Sequence, residues 1–85
     1  MKDSPTLLEV RRIAADTLDR QLDAVPADAT RDTLPGWDSM AHVNLVLAVE
    51  QHFDLQFRPE EMLEMLSLEL VAMLVDEKLA AKGRA

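Results

Sequence analysis

The chain has 85 residues, enough for one small domain with one core. Its net charge of −7 argues against nucleic-acid binding, which needs clustered cations, and suits either encounters with basic protein surfaces or plain solubility as a monomer. With no cysteine, the fold rests on no disulfide and the polypeptide has no thiol of its own, so any thioester chemistry needs a thiol from a prosthetic group.

Apolar residues make up 48% of the chain, yet only Trp37, Phe53 and Phe57 are aromatic and only two residues are glycine. Runs in which β-branched and polar residues alternate are absent, which favours an all-α domain. The longest apolar run, residues 70–75, is far too short for a bilayer, and no signal peptide is visible. A cytoplasmic location without a membrane partner is the expectation.

Helix I is predicted over residues 5–21. Ser4 suits the N-cap, Pro5 suits the first helical position, and Leu7, Val10, Ile13, Ala14, Thr17 and Leu18 recur at helical spacing. A long connection runs from about residue 23 to residue 38, with Pro26, Pro35 and Gly36 as breakers and Asp28, Thr30, Asp32 and Thr33 as local hydrogen bonders. Val25, Leu34 and Trp37 are its candidates for packing the loop down, and a loop this long is usually functional or packed by its own side chains.

Helix II is predicted over residues 39–53, capped by Asp38 after the Pro35-Gly36 turn. Helix III, short, is predicted over residues 59–64, with Pro59 at its start and Glu60 and Glu61 in its first turn. Helix IV is predicted over residues 67–82, capped by Ser67, with Leu68, Val71, Leu74, Val75 and Leu79 facing inward. Gly83 should end it, with Lys78, Lys82 and Arg84 near its negative end. The sum is a four-helix bundle with a short third helix, filling residues 1–85 as one domain.

Ser39 is the candidate functional residue. It follows a capping aspartate, so its hydroxyl lies at a loop–helix junction where the first-turn N–H groups and the positive helix end favour a negative group. From position alone, Asp38 or Ser39 reads first as a simple cap. The helix that follows adds a second signal. Met40, Val43 and Leu47 share one sector, flanked by Asn44 and Gln51, while Leu45, Val46, Val49 and Phe53 form a core face. The first sector reads either as a docking patch or as wider burial of a central helix.

Leu34-Pro35-Gly36-Trp37-Asp38-Ser39-Met40, followed by Val43, Leu47, Glu50, Phe53-Asp54 and Pro59-Glu60-Glu61, resembles the acyl carrier protein and peptidyl carrier protein family. The resemblance covers about residues 7–79, including helix lengths and the long first loop. It implies a non-catalytic carrier. A phosphopantetheinyl transferase would attach a 4'-phosphopantetheine arm to Ser39, and the arm's thiol would hold an acyl or aminoacyl group as a thioester. The carrier would then pass this group from a loading ligase to a downstream transferase or synthase.

By the same resemblance Asp38 is read by the transferase, and Met40, Val43, Asn44, Leu47 and Glu50 lie on the recognition helix. Met40 stands where the family usually has Leu, an apolar exchange. General fatty-acid carriers are rich in acids along this helix, whereas here Glu50 stands alone. That departure favours a specialised polyketide, peptide, aminoacyl or modified-lipid pathway over general fatty-acid synthesis. Trp37 reads as a loop anchor.

Three further readings compete. A serine hydrolase would need a base and an oxyanion hole; His42 is near Ser39, but no Gly-x-Ser-x-Gly elbow exists, and His42 reads as the edge of helix II's packed face. A metal site would need clustered ligands, yet His42 and His52 are far apart and Asp28 and Asp32 read as a solvated loop. An unmodified helical interaction domain would share the charge, fold and apolar patch.

Overall fold

The computed structural model describes residues 4–84, of Arg84 only the backbone. Among these residues there are four α-helices and no strand. They are α1 (Pro5–Thr17), α2 (Ser39–Phe53), α3 (Pro59–Glu64) and α4 (Leu68–Arg84), with a 3-10 turn, Leu22–Ala24, in the first connection. No helix among them is long and apolar enough to cross a membrane.

α1 starts where its cap chemistry dictates. The Ser4 hydroxyl accepts from the Leu7 N–H at 3.0 Å and Pro5 occupies the first turn. It stops at Thr17, short of the predicted residue 21. Asp19 takes the left-handed conformation (φ 56°), and the Arg20 N–H closes back onto the Ala15 carbonyl at 2.8 Å. This is a Schellman-type stop with aspartate in the position glycine usually holds. α2 ends the same way: Asp54 has φ 57° and the Leu55 N–H reaches the Glu50 carbonyl at 2.9 Å.

α4 departs from expectation at both its face and its end. Ser67 caps it, accepting from the Leu70 N–H at 3.1 Å. Leu68, Val71, Ala72 and Val75 are buried, but Leu79, expected inside, is exposed. Gly83 does not end the helix, which continues to Arg84. The Arg84 side chain lies outside the described residues. Lys78 and Lys82 serve as ties rather than as partners of the helix end. Lys78 Nζ pairs with Glu61 Oε1 at 3.0 Å, and Lys82 Nζ donates to the Asp54 carbonyl oxygen at 2.6 Å and to its carboxylate at 2.8 Å.

The core forms where α1 lies against both α2 and α4. Val10 and Ala14 meet Leu45, Val46 and Val49 of α2 and Leu68, Val71 and Val75 of α4, all buried. Each buried aliphatic side chain contributes about 1.5–3 kcal/mol by leaving water. The first loop is part of this core: Val25, Ala29, Leu34 and Trp37 are buried.

Polar contacts fix the loop's path. Arg11 Nε donates to the Val25 carbonyl at 2.7 Å. Thr30 and Thr33 exchange backbone-to-hydroxyl bonds of 2.9 and 3.2 Å. A short antiparallel bridge at Thr30 and Ser67 then staples the loop to the α3–α4 turn, with the Arg31 N–H on the Leu66 carbonyl and the Leu68 N–H on the Ala29 carbonyl, both at 3.1 Å.

α3 buries no residue fully; Met62 packs against the core and polar contacts add to its hold. The Glu61 carboxylate accepts from the Arg58 N–H at 2.7 Å and from Lys78. The Arg58 bond first, then Lys78, lowers its pKa from the ordinary carboxyl value.

Candidate functional site

The loop delivers Trp37, Asp38 and Ser39 to one end of the molecule. Gly36 makes the approach with φ 91°, a conformation side-chain-bearing residues resist. Trp37 then turns inward and is buried, and its indole N–H donates to His42 Nδ1 at 3.0 Å. His42 Nε2 meets the Met62 carbonyl at 2.8 Å. An indole can only donate and a carbonyl can only accept, so the imidazole carries its hydrogen on Nε2. His42 thus joins the loop, α2 and α3. It is buried, deeper than the helix edge where the sequence put it.

Asp38 and Ser39 divide the work at the start of α2. The Asp38 carboxylate accepts from the Ala41 N–H at 2.9 Å and so caps the helix. Ser39 is the first helical residue; it is exposed, and its hydroxyl takes part in no hydrogen bond with a described residue. A cap is therefore present without Ser39, and the serine hydroxyl is left facing solvent.

Beside Ser39 lies a groove of about 350 Å³, walled by Val43 of α2, by Pro59, Met62 and Leu63 of α3, by His42 and by Arg31 of the loop. Its lining is mainly apolar, with Ser39 and Arg31 as its hydroxyl-bearing and cationic members. The Arg31 side chain makes no ion pair or hydrogen bond with a described residue.

Of the residues marked on the recognition helix, Met40, Val43 and Leu47 are exposed by 76%, 46% and 49%, so this sector is not absorbed by the bundle. Asn44 is exposed beside them. Glu50 is different. Its carboxylate accepts the Phe57 N–H at 2.8 Å and serves the α2–α3 connection instead of the outer face. His52, expected as a polar flank, is exposed and lies 3.4 Å from Glu9 of α1. Asp28 and Asp32 are exposed in the loop.

Sequence reasoning missed Arg31, Met62 and Leu63. Met62 and Leu63 left a weak trace, two adjacent apolar residues on a helix too short to bury both. Arg31 left none, because its place depends on the bridge at Thr30 and Ser67. No protein-family model matches the chain, and no curated protein matches it.

Proposed function

We propose that the chain is a non-catalytic carrier whose Ser39 bears a 4'-phosphopantetheine arm, acyl-carrier-like in fold. The observation that carries this reading is the division of labour at the α2 start. Asp38 supplies the cap, so the exposed Ser39 hydroxyl is uncommitted.

The surrounding residues suit a phosphodiester at that hydroxyl. First-turn N–H groups and the positive end of α2 favour its negative charge. Arg31, on the same groove, offers a cation without an existing partner among the described residues. The apolar walls from Val43, Pro59, Met62 and Leu63 give an uncharged chain a place to lie against. The arm would supply the thiol that a chain without cysteine lacks. Asp38 caps the helix at the attachment point, and the Trp37–His42 contact anchors the chain two residues before and three residues after Ser39.

On this reading the partners are a phosphopantetheinyl transferase, a loading ligase and a downstream transferase or synthase, met by the exposed Met40, Val43 and Leu47. The cargo is an acyl or aminoacyl group of a specialised pathway. Glu50 is the only acid on α2 and is turned toward Phe57, which leaves the outer face of that helix without an acid and weighs against general fatty-acid synthesis. The carrier works as a monomer in the cytoplasm, where a free thiol stays reduced.

A second reading, an unmodified interaction domain, is favoured by the exposed α2 stripe alone and makes no use of Ser39. Mass spectrometry after incubation with coenzyme A and a broad-specificity phosphopantetheinyl transferase separates the two. One adduct is expected on the wild type and none on Ser39→Ala. An unmodified wild type, or an adduct that persists in Ser39→Ala, rejects the carrier.

A further inference from the structure

We propose that the α3–α4 turn and the first turns of α4 form a second docking surface, fitted to a partner segment that presents apolar side chains flanked by lysine or arginine. This surface does not include Ser39 and does not rest on the carrier reading, although its larger groove shares Arg31 with the groove beside Ser39.

The inner face of α4 is complete without it, since Leu68, Val71, Ala72 and Val75 already supply the core contacts. Leu66, Leu70 and Met73 are left over, exposed by 55%, 38% and 56%. Leu70 and Met73 are one helical turn apart on a single face, and Leu66 stands just ahead of the Ser67 cap. Single exposed leucines are common on protein surfaces. Here the three are joined by two grooves, of about 580 and 200 Å³, that share Leu70 as a common wall. The first is walled by the buried Trp37 and also by Arg31 and Asp32, one charge of each sign, so the excess charge of the two grooves is that of Glu64 and Glu77. The second is bounded by Met73 and by Glu64 and Glu77.

Charge selects the occupant. Glu61 and Asp54 are each paired, with Lys78 and Lys82. Glu64 and Glu77, by contrast, form no ion pair with any described residue. Two unpaired carboxylates on the rim of an apolar groove favour a cationic partner. A second copy of this chain is disfavoured, because each copy carries a net charge of −7 and would set Glu64 and Glu77 against an acidic surface. An anionic membrane surface is disfavoured for the same reason.

The test titrates the isotope-labelled full chain with a synthetic helical peptide carrying leucines on one face and lysines on the other. A second peptide with glutamate for lysine is the control. Saturable binding of the lysine peptide is expected, with amide shifts concentrated over residues 64–77. The double variant Leu66→Gln, Met73→Gln, in which both positions are exposed, should fold and weaken binding at least about tenfold. Glu64→Gln with Glu77→Gln should weaken it as well, and Ser39→Ala should leave it unchanged. The proposal fails if no saturation is reached below about 1 mM, or if shifts spread evenly over the acidic surface or centre on Met40 and Leu47. It also fails if the glutamate peptide binds as well, or if sedimentation finds self-association that Met73→Gln abolishes.

Discussion

The indole N–H of Trp37 donates to Nδ1 of His42 at 3.0 Å, inside the molecule, within five residues along the chain. Ser39 lies between the two in sequence and is exposed. The contact therefore fixes both flanks of the candidate attachment point while leaving the serine itself untouched. Trp37→Phe keeps most of the packing but removes the only N–H facing Nδ1. A loss of about 1–3 kcal/mol in denaturant unfolding is expected, the range for stranding a buried polar atom. His42→Ala should cost at least as much, and the double variant less than the sum.

Asp38 and Ser39 should separate cleanly in stability measurements. Asp38→Ala removes the cap of α2 and should cost about 0.5–2 kcal/mol. Ser39→Ala breaks no hydrogen bond to a described residue and should stay within about 0.5 kcal/mol of the wild type. If Ser39→Ala were the more damaging change, the serine would be structural, and its loss of modification would say nothing about attachment.

Leu47, half exposed on the outer face of α2, tests partner contact. Leu47→Asp should fold with an unchanged unfolding midpoint. On the proposed carrier reading, transfer of an arm by a phosphopantetheinyl transferase should slow by about tenfold, the effect of losing roughly 1.4 kcal/mol of contact. Wild-type kinetics would make the stripe a bystander.

Acid sensitivity should arise at Glu61 and at Asp54, whose pKa is also lowered, first by the Lys82 hydrogen bond. The folded pKa of Glu61 lies below the ordinary value, first through the Arg58 N–H and then through Lys78. A carboxyl depressed by folding stabilises fully above its unfolded pKa and loses that contribution as pH falls through the folded one. Unfolding free energy should therefore decline as pH drops below the ordinary glutamate value of 4.5. Glu61→Gln should flatten that decline and cost no more than about 1 kcal/mol at neutral pH, since the partly exposed pair is screened. Measuring unfolding at a series of pH values compares the two slopes.

Asp19 holds α1's stop in a conformation that suits glycine better. Asp19→Gly should raise stability by up to about 1–2 kcal/mol, and Asp19→Val should lower it. A destabilised Asp19→Gly would mean that the aspartate side chain, not the backbone turn, ends the helix.

Features set by neighbours in sequence were readable from sequence. Capping by Ser4, Asp38 and Ser67 follows local hydrogen-bonding rules, and the all-α class follows from periodicity. The stop of α1 was not readable, because no glycine marks it and aspartate, which tolerates left-handed backbone, occurs within helices and loops as well as at their ends. The depth of His42 was hidden for another reason. Its burial depends on α3, whose Met62 carbonyl, twenty residues away, meets the ring's Nε2. Lys78 and Lys82 fit a simple helix-end rule, and only the placement of Glu61 and Asp54 gives them different work. Likewise Glu50 resembled a surface acid until the α2–α3 connection folded back onto it.

The bridge at Thr30 and Ser67 has a consequence for how anything approaches Ser39. A connection of this length would ordinarily sample many shapes and would have to be immobilised by whatever gripped it. Two backbone hydrogen bonds to the α3–α4 turn settle most of that motion in advance. Arg31, beside the bridge, walls both the Ser39 groove and the larger groove at Leu70. A partner therefore meets a rim already in shape, and little of its binding energy is diverted into ordering the loop.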